Sequence, residues 1–346
     1  MKNNPTPKQF YIPAQQHGLT LVEVMVALVL SLVLIGSMIQ IYLSSKQTYR
    51  MNEALSRLQE GGRIALDTLA YDIRHGSFQG CADTKLKDAI IMSQNIPTPI
   101  TNLFMNGIGG TEGADDPSAV GAGVTYSDTL TLLYAAPSTA TPVLNTSTIS
   151  QLDIAANTAG FAAGDFLVVS NCSTADVFTA TTVTATAITH NDAGENNPIT
   201  TGSYSDGLSS VYRLVSNRYF VAKTTRNTAS NTPISALFRT DINGTTTELV
   251  DGIEYMEVLY GERLENNNLR YVPANDGALD MSRVVSVRLG LLLVSDEAVL
   301  EADDTRDYQL VTGTTISNAA SGAATYNGTD RRMRRVFTTT VQLRNR

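Results

Sequence analysis

The side chains that could do acid–base chemistry show no catalytic spacing in this sequence. The 346-residue chain has three histidines and 33 carboxylates, but no spacing singles out two of them as an acid–base pair. The sequence contains no Gly-x-Ser-x-Gly elbow, no glycine-rich phosphate loop ending in Lys-Ser/Thr, and no His-Glu-x-x-His. We expect His75 beside a helix end and His190 in a polar loop, neither of them as a general base. The sequence therefore predicts a protein that is not an enzyme and has no cofactor.

Charged residues are segregated along the chain. No lysine or arginine occurs from Asp88 to Tyr212, whereas the last sixteen residues carry six arginines and no acid. The carboxylates of the first stretch are Asp88, Glu112, Asp115, Asp116, Asp128, Asp153, Asp165, Asp176, Asp192, Glu195 and Asp206. The simpler interpretation is a solvated acidic surface and a basic strand edge that discourages aggregation. The sharper hypothesis is that this bipolarity orients the molecule against a neighbouring subunit. Its basic side would be Arg331, Arg332, Arg334 and Arg335.

The overall composition excludes several binding functions. A net charge of −8 argues against nucleic acid as the main partner, because phosphate binding depends on lysine and arginine. Two cysteines and three histidines leave little for a zinc or iron–sulfur site. Clustered acids could bind Ca²⁺, but no stretch has the ligand spacing of an EF-hand. The nearest fragment, residues 241–244, is better explained as a hairpin turn, because Asn243-Gly244 is a strong two-residue hairpin signal.

One long uncharged segment near the N-terminus predicts a membrane-spanning helix. Residues 24–45 carry no formal charge, and 22 residues are enough to cross about 30 Å of hydrocarbon as a helix. Lys2 and Lys8 ahead of it favour a cytoplasmic N-terminus, although Lys46 opposes that signal. No small-residue cleavage pattern follows the apolar run, so an ordinary secretory signal is not indicated. A carboxylate towards the bilayer interior costs about 2.5–3.5 kcal/mol, so Glu23 needs a partner.

The residues before this segment resemble a known export signal. Gly18-Leu19-Thr20-Leu21-Val22-Glu23, followed by an apolar helix, is similar to the type IV prepilin cleavage and methylation signal. The resemblance implies that a membrane peptidase cuts after Gly18 and methylates the new N-terminus at Leu19, where the family more usually has Phe. It also implies that Glu23 acts in subunit assembly, because its carboxylate can neutralise the amine of a neighbouring, axially shifted helix. The alternative is a single-span anchor with a chance acid.

Apolar spacing extends the predicted helix beyond the membrane segment. No proline occurs between Ala14 and Ile96, so one helix of about 85 Å is expected from Leu19 to about His75. Its second half has an apolar stripe at three- and four-residue steps, formed by Leu55, Leu58, Ala65, Leu66, Leu69 and Ile73. Gly61-Gly62 interrupts the stripe, either for close contact with a sheet or as a bend.

Strand patterns replace the helical period after Gly76. Alternating apolar residues over 283–293 and 337–343 predict two strands that can pair. Further short apolar runs occur at 130–134, 166–169 and 218–221. We therefore expect an α+β fold in which the long helix packs on a mainly antiparallel β head over 76–346. The Ala/Gly/Thr-rich stretch of about 88–210 is predicted to be a large insertion in that head.

Three further blocks resemble PilW-type minor pilins. The first, residues 62–81, is similar to the GR-x-A…DIR-x-aGy-x-GC region of that family. The second comprises residues 252–261 and 284–289, and the third is the terminal stretch 335–346. The resemblance covers both ends of the chain well and the middle poorly.

The cysteine pair fits an exported protein. Cys81 and Cys172 are the only cysteines, and an even pair that meets an oxidising periplasm suggests a disulfide across about 90 residues. The alternative is two unpaired buried thiols.

The resemblance implies a structural role in a type IV pilus. A minor pilin would be held in the inner membrane with its head in the periplasm, and would then enter the extracellular pilus at or near its tip. Implied partners are the prepilin peptidase, other minor pilins, the major pilin, a tip adhesin and the inner-membrane assembly platform. A J-type pseudopilin of a type II secretion system shares the same plan. A membrane-tethered sensor or hydrolase remains a third alternative.

Overall fold

The computed structural model describes most of the chain in two compact units. These units are Met1–Asn52 and Glu53–Arg346. The described residues are 18, 20–81, 90–91, 106–113, 127–148, 150–190, 204, 208–229, 231–311, 313–317, 326 and 328–344.

The helix that begins in the first unit, α1, runs from Leu21 to His75. It is long and apolar enough near its start to cross a membrane, by length and composition. Every residue from 20 to 46 in the described chain is exposed. The predicted long helix is confirmed over this range, while Leu19, its predicted first residue, lies outside the described residues.

The part of α1 within the second unit packs on strands through the predicted stripe. Leu58, Ala65, Leu69 and Ile73 are buried, whereas Leu55 and Leu66 at its border are half-buried. The helix continues without a break through Gly61-Gly62. A Cβ atom at Gly62 would lie 2.8 Å from the ring of Phe337, so this glycine permits close contact between helix and sheet. Of the two interpretations of the glycine pair, close contact agrees with the structure.

Eighteen strands are present in the described part of the second unit. They are β1 Ile90–Ile91, β2 Ile108–Thr111, β3 Thr129–Ala135, β4 Thr141–Pro142, β5 Gln151–Asp153, β6 Phe166–Ser170, β7 Ala175–Thr179, β8 Thr182–Val183, β9 Ala187–Thr189, β10 Ser210–Asn227, β11 Pro233–Thr240, β12 Thr246–Asp251, β13 Ile253–Arg263, β14 Leu269–Val272, β15 Val284–Ala298, β16 Tyr308–Val311, β17 Thr314–Ile316 and β18 Arg332–Gln342. Short 3-10 turns cover Pro137–Thr139, Met281–Arg283 and Gly328–Asp330.

The strands form two main sheets and two small ones. A nine-stranded sheet has the order β1-β7-β6-β10-β11-β12, with β3 and β4 also paired to β10 and β2 paired to β3. A four-stranded sheet has the order β14-β13-β15-β18. The small sheets are β16-β17 and β5-β9-β8. All pairs between named strands are antiparallel except β1 with β7. The predicted fold class, a long N-terminal helix with a mainly antiparallel β head, is confirmed.

The two strands predicted from alternation do pair. β15 and β18 run antiparallel with Val287 opposite Val341 and Leu291 opposite Phe337. Alternation identified these strands because one face of each is turned towards the helix and the other is not.

The turn at Asn243-Gly244 joins β11 to β12, as predicted, but it is longer than a two-residue turn. The strands end at Thr240 and resume at Thr246, so five residues connect them. The carboxylate of Asp241 accepts hydrogen bonds from the backbone N–H groups of Asn243 and Thr245, both at 2.9 Å. Gly244 has φ of +79°, as in a type I turn followed by a left-handed residue. Asp241 therefore selects the longer turn.

The main core lies where α1 meets both large sheets. Leu69 and Ile73 of the helix share one apolar cluster with residues of both sheets, including Leu132 of β3 and Leu289 of β15. Strands β2 and β3 fall inside the segment predicted as an insertion, yet they contribute to this shared core. A second cluster, around Phe178 and Ile188, lies within that segment alone except for Val211 of β10.

Candidate functional site

One of the residues singled out by the sequence, Glu23, lies in the first turn of α1, and Gly18 precedes the helix. Gly18 is exposed, and Leu19 lies outside the described residues. The hydroxyl of Thr20 accepts a hydrogen bond from the backbone N–H of Glu23 at 3.3 Å, and its carbonyl accepts one from Val24 at 3.2 Å. Thr20 is therefore the N-cap, and Glu23 stands at the third helical position, the spacing of a capping box. Capping by Thr20 is not among the sequence predictions, although the Thr-x-x-Glu pattern could have indicated it.

The helix surface after Glu23 is apolar on all sides. Its large apolar side chains between Leu21 and Leu43 are exposed by 44% at Val24 and by up to 76% at Leu21. A helix that is apolar all round is stable only in lipid or among other apolar helices. Ser31 and Ser37 direct their hydroxyls to helix carbonyls at 2.9 Å, so their polar groups are satisfied within the helix. In a bilayer or a helical bundle, the hydroxyls of Ser31 and Ser37 would therefore not be left unpaired.

Near the end of α1, a buried carboxylate ties the helix to the nine-stranded sheet. Asp72 accepts hydrogen bonds from the hydroxyl of Tyr134 at 2.9 Å, from the amide of Asn217 at 2.5 Å and from the hydroxyl of Tyr219 at 2.5 Å. Burial, and then the charge of Asp72, raises the pKa of both tyrosines, which keeps them protonated as donors. Three donors on one carboxylate fix the rotation of the helix against β3 and β10.

Asp72 borders an open cleft between the helix and β10. Asp67 and Tyr71 line the helix side, and Arg239 lines the sheet side. Asp72 lies in the block 62–81 that resembles PilW-type minor pilins, but the sequence alone predicts no role for this residue. The available signal was its position three residues after Leu69, on the buried stripe, where a carboxylate needs partners.

The disulfide expected between Cys81 and Cys172 is present. The Cα atoms are 4.3 Å apart, and Cys81 follows the end of α1 while Cys172 lies between β6 and β7. Both residues are largely exposed. The alternative of two unpaired buried thiols is therefore wrong. The bond joins the segment that follows the helix end to the connection between β6 and β7.

The predictions for the two histidines are only partly correct. His75 lies in the last turn of α1, and its Nδ1 is 2.8 Å from the carbonyl of Tyr71. His190 is not a surface residue, because it is 3% exposed and packs against Phe178 at a ring distance of 5.2 Å.

The stretch 88–212 is not simply a solvated acidic surface. Asp128 and Asp176 are buried, and Asp165 pairs with Arg213 at 3.0 Å. Asp88, Asp115, Asp116, Asp192, Glu195 and Asp206 lie outside the described residues. Buried carboxylates in this stretch require partners that a solvated surface would not.

The four arginines predicted to form a basic surface are divided between surface and interior. Arg331 and Arg335 are exposed, but Arg332 and Arg334 are buried. Arg334 makes paired hydrogen bonds to Glu254 and Asp330, with the shortest contacts at 2.7 Å. These hydrogen bonds outweigh the opposing effect of burial and raise the pKa of Arg334. The prediction that all four arginines form one basic surface is therefore wrong, because Arg332 and Arg334 are buried in ion pairs within the head.

Comparison with known families gives two matches. Residues 218–345 match the family Type IV Pilus-assembly protein W, and residues 13–39 match the prokaryotic N-terminal methylation motif. The two matches support the interpretation that the chain is similar to PilW-type type IV minor pilins. The first covers β18 and β11 through β17 together with most of β10, and the second covers the capped start of α1. The block at 62–81 that also resembles PilW-type pilins lies outside both matched segments.

Comparisons beyond the family level add little to this assignment. No curated protein sequence matches the chain. Among solved structures, a type IV-like pilin from Thermus thermophilus is 16% identical, covering 53% of this chain and 85% of its own, with a TM-score of 0.20. The similarity to PilW-type minor pilins therefore depends on the two family matches.

Proposed function

We propose that this PilW-type chain is a non-enzymatic subunit that helps initiate type IV pilus assembly and lies at or near the pilus tip. The observation that carries the proposal is the exposed apolar surface of α1, which carries one carboxylate, Glu23, in its capped first turn and matches the methylation motif. A helix of this kind needs either lipid or sibling helices around it. Pilin families are structural, and assembly by non-covalent packing requires no catalytic group.

Maturation would convert the chain into an assembly-competent form. The prepilin peptidase would remove residues 1–18 and methylate the new amine at Leu19. Residues 19–75 would then form the pilin helix, with about 19–45 in the inner membrane, and residues 76–346 would form the periplasmic head. Thr20 and Glu23 would remain in the first turn, where the capping hydrogen bond holds Glu23 close to the new N-terminus.

Assembly would exchange lipid for neighbouring helices around α1. Because lipid tails are as apolar as the helix, this exchange gives little hydrophobic gain, and polar contacts decide which helices associate and in what register. The carboxylate of Glu23 can meet the cationic amine of a neighbouring helix that is shifted along the axis. In a water-free bundle both charges need that partner.

The partners follow from this mechanism. We propose that the head contacts other minor pilins, the major pilin and a tip adhesin, and that the membrane helix contacts the inner-membrane assembly platform. A low-copy subunit with a large head suits the tip, where it need not fit between subunits on all sides.

A set of three variants separates the effect of the charge of Glu23 from the effect of capping the helix. Glu23→Gln keeps a side chain that suits a capping box but removes the charge, whereas Thr20→Ala removes the cap and keeps the charge. Glu23→Ala removes both. We expect normal leader removal in all three, because the cleavage site itself is unchanged, and strongly reduced pilus number in the two Glu23 variants only.

The measurements are mass spectrometry of the mature N-terminus and pilus counts by electron microscopy. Wild-type pilus numbers in Glu23→Gln would count against charge pairing. Loss of pili in Thr20→Ala and Glu23→Ala, with wild-type numbers in Glu23→Gln, would assign Glu23 to helix capping instead. Immunogold labelling of a tagged head tests the tip position, and fibres that form without this chain and never contain it would overturn the proposal.

A further inference from the structure

Three carboxylates from distant parts of the chain meet at the junction of the two large sheets. Glu112 follows β2, Asp128 precedes β3, and Glu257 lies in β13. Thr111 pairs with Thr129 across the β2–β3 ladder, so the two flanking acids leave the same end of that ladder. One oxygen from each of the three carboxylates lies within 4.8 Å of the others.

Hydrogen bonds hold the central carboxylate of this group against β13. The backbone N–H of Asp128 donates to the carbonyl of Met256 at 2.8 Å. Its carboxylate accepts from the N–H of Val258 at 2.8 Å and from the N–H of Gly113 at 2.9 Å. Glu257 accepts from the hydroxyl of Thr314 at 2.6 Å, which links the group to β17. Backbone and hydroxyl donors therefore preorganise the carboxylates of Asp128 and Glu257.

The group has more negative charge than its described surroundings neutralise. Asp128 is 2% exposed and Glu257 is 5% exposed. Among the described residues, none of the three carboxylates forms an ion pair with lysine or arginine. Burial, and then the charge of Glu257, raises the pKa of Asp128 to about 8, and the same two causes raise that of Glu112. Adjacent buried anions of this kind need a proton or a cation.

A buried hydroxyl beside the group also lacks a partner. Tyr260 is fully buried, and its hydroxyl forms no hydrogen bond with the described residues. A Cβ atom at Gly110 would lie 2.4 Å from this hydroxyl and 2.1 Å from the carbonyl oxygen of Thr129, next to Asp128. The hydroxyl thus reaches the chain segments that carry Glu112 and Asp128. After burial, the charges of these two acids raise the pKa of the phenol further. One carboxylate oxygen of Glu112, Oε2, is also buried without a partner. Such unsatisfied buried groups indicate a missing water or ion.

We propose that Glu112, Asp128 and Glu257, with the hydroxyl of Tyr260 beside them, form a Ca²⁺ site. Calcium takes six to eight oxygen ligands at about 2.3–2.6 Å in flexible geometry, so one ion can contact oxygens that lie within 4.8 Å of one another. Half-buried Glu112 leaves room for water to complete the shell. Magnesium binds at about 2.0–2.1 Å and demands near-octahedral geometry, which the fixed carboxylates of Asp128 and Glu257 suit less well. Bound calcium would join β2 and β3 to β13 and so fasten the nine-stranded sheet to the four-stranded sheet.

The test uses the full chain purified in detergent, stripped with a chelator and titrated with CaCl₂. Thermal unfolding is measured at each concentration, and Tb³⁺ luminescence excited through tyrosine gives a second readout, since the chain has no tryptophan. We expect Tm to rise in a saturable way with Ca²⁺ and by less with Mg²⁺ at the same concentration. An absent calcium response, or an equal response to magnesium, would overturn the assignment.

Two variants and a control make the test specific to these residues. Glu112→Gln removes a half-buried ligand and should lower calcium affinity at least tenfold with the fold retained. Tyr260→Phe should not lower metal-free stability, because the hydroxyl has no partner to lose, but should weaken calcium and Tb³⁺ binding. The control Glu265→Gln changes an acid whose side chain is 94% exposed, and should bind as the wild type does.

Each remaining outcome decides against the site. Unchanged affinity in Glu112→Gln would overturn it, and so would an equal loss in Glu265→Gln, which would indicate general surface charge. If Glu112→Gln raises metal-free Tm while the wild type ignores calcium, the carboxylates share a proton instead of a cation. Failure of this site would leave the proposed role in pilus assembly untouched.

Discussion

At the scale of single residues, Asp72 shows how one buried charge can fix an element. It lies in a helix otherwise held by apolar contacts, and three side chains of the nine-stranded sheet donate to it. Hydrogen bonds to a charged group contribute about 1.5–3 kcal/mol each, and a buried donor left without an acceptor is costly. The charge therefore specifies the rotation of α1, which apolar packing alone defines less sharply.

Replacing Asp72 by Ala should lower the free energy of unfolding by about 3 kcal/mol or more, because two phenols and one amide lose their acceptor. Asp67→Ala is the matched control in the same helix, since Asp67 is exposed and its contact with Arg63 is 3.7 Å long. That substitution should cost less than about 0.5 kcal/mol. Denaturant unfolding of the purified full chain measures both, and equal losses would show that Asp72 has no special role.

Adjacent glycines offer a second matched pair. A Cβ atom at Gly61 would meet Val250 and Leu293 at 3.5 and 3.6 Å, which is ordinary contact, whereas one at Gly62 would lie 2.8 Å from the ring of Phe337. Gly61→Ala should therefore stabilise the helix by about 0.5–1 kcal/mol through propensity. Gly62→Ala should destabilise by about 1 kcal/mol net, because overpacking exceeds that gain. Thermal unfolding of both variants checks the sign, and stabilisation by Gly62→Ala would refute the close contact.

At the scale of elements, the sequence predicts whatever depends on local periodicity. The stripe of α1 and the alternation in β15 and β18 are visible because one face of each element meets the core. The turn after β11 was placed correctly but its length was not, since Asp241 draws in two further backbone groups. Strands β2 and β3 were assigned to an insertion because their contact with α1 depends on pairing with β10, which no local pattern reveals.

Groups assembled from distant segments could not be predicted in the same way. Asp128 and Glu257 are 129 residues apart, and Arg334 meets Glu254 across 80 residues. A sequence shows that such residues are charged but not that they are buried together. The disulfide is the exception, because only one pairing of two cysteines is available.

The disulfide should stabilise the head through the chain it closes. Cys81 and Cys172 are 91 residues apart, and a loop of that size is worth about 4–5 kcal/mol in the chain-entropy model. Replacing both cysteines by Ser should lower unfolding stability by up to that amount while α1 still forms. Denaturant unfolding of the oxidised wild type, the reduced wild type and the double variant checks this. The reduced wild type and the double variant should be equally stable, which serves as the internal control. Unchanged stability on reduction would show that the disulfide does not contribute to the free energy of unfolding.

At the scale of the whole molecule, internal ion pairing determines which charges remain for partners. Within β18, Arg332 and Arg334 point to the interior and Arg335 points to the surface, because successive side chains of a strand point to opposite faces. Arg332 and Arg334 are buried with Glu254 and Asp330, whereas Arg335 and Arg344 are exposed. The hypothesis of an oriented, bipolar molecule therefore applies only to the exposed arginines; Arg346 lies outside the described residues.

Charge reversal can now separate subunit recognition from folding. Arg335→Glu with Arg344→Glu should preserve the fold, because both side chains are exposed and Arg335 makes a cation–π contact with Phe337 at 5.7 Å but no ion pair with a described residue. If this edge orients the molecule against an acidic neighbour, the double variant should bind other minor pilins several-fold more weakly, with less dependence on salt. Arg334→Glu should instead unfold the head, since it places a third acid beside Glu254 and Asp330. Thermal unfolding identifies folded variants, and crosslinking at two salt concentrations measures binding. If the double variant is folded and crosslinks as the wild type does at both salt concentrations, the exposed arginines do not contact a neighbouring subunit. Their role would then be to prevent aggregation, because charged residues at a strand edge disfavour pairing with strands of other molecules.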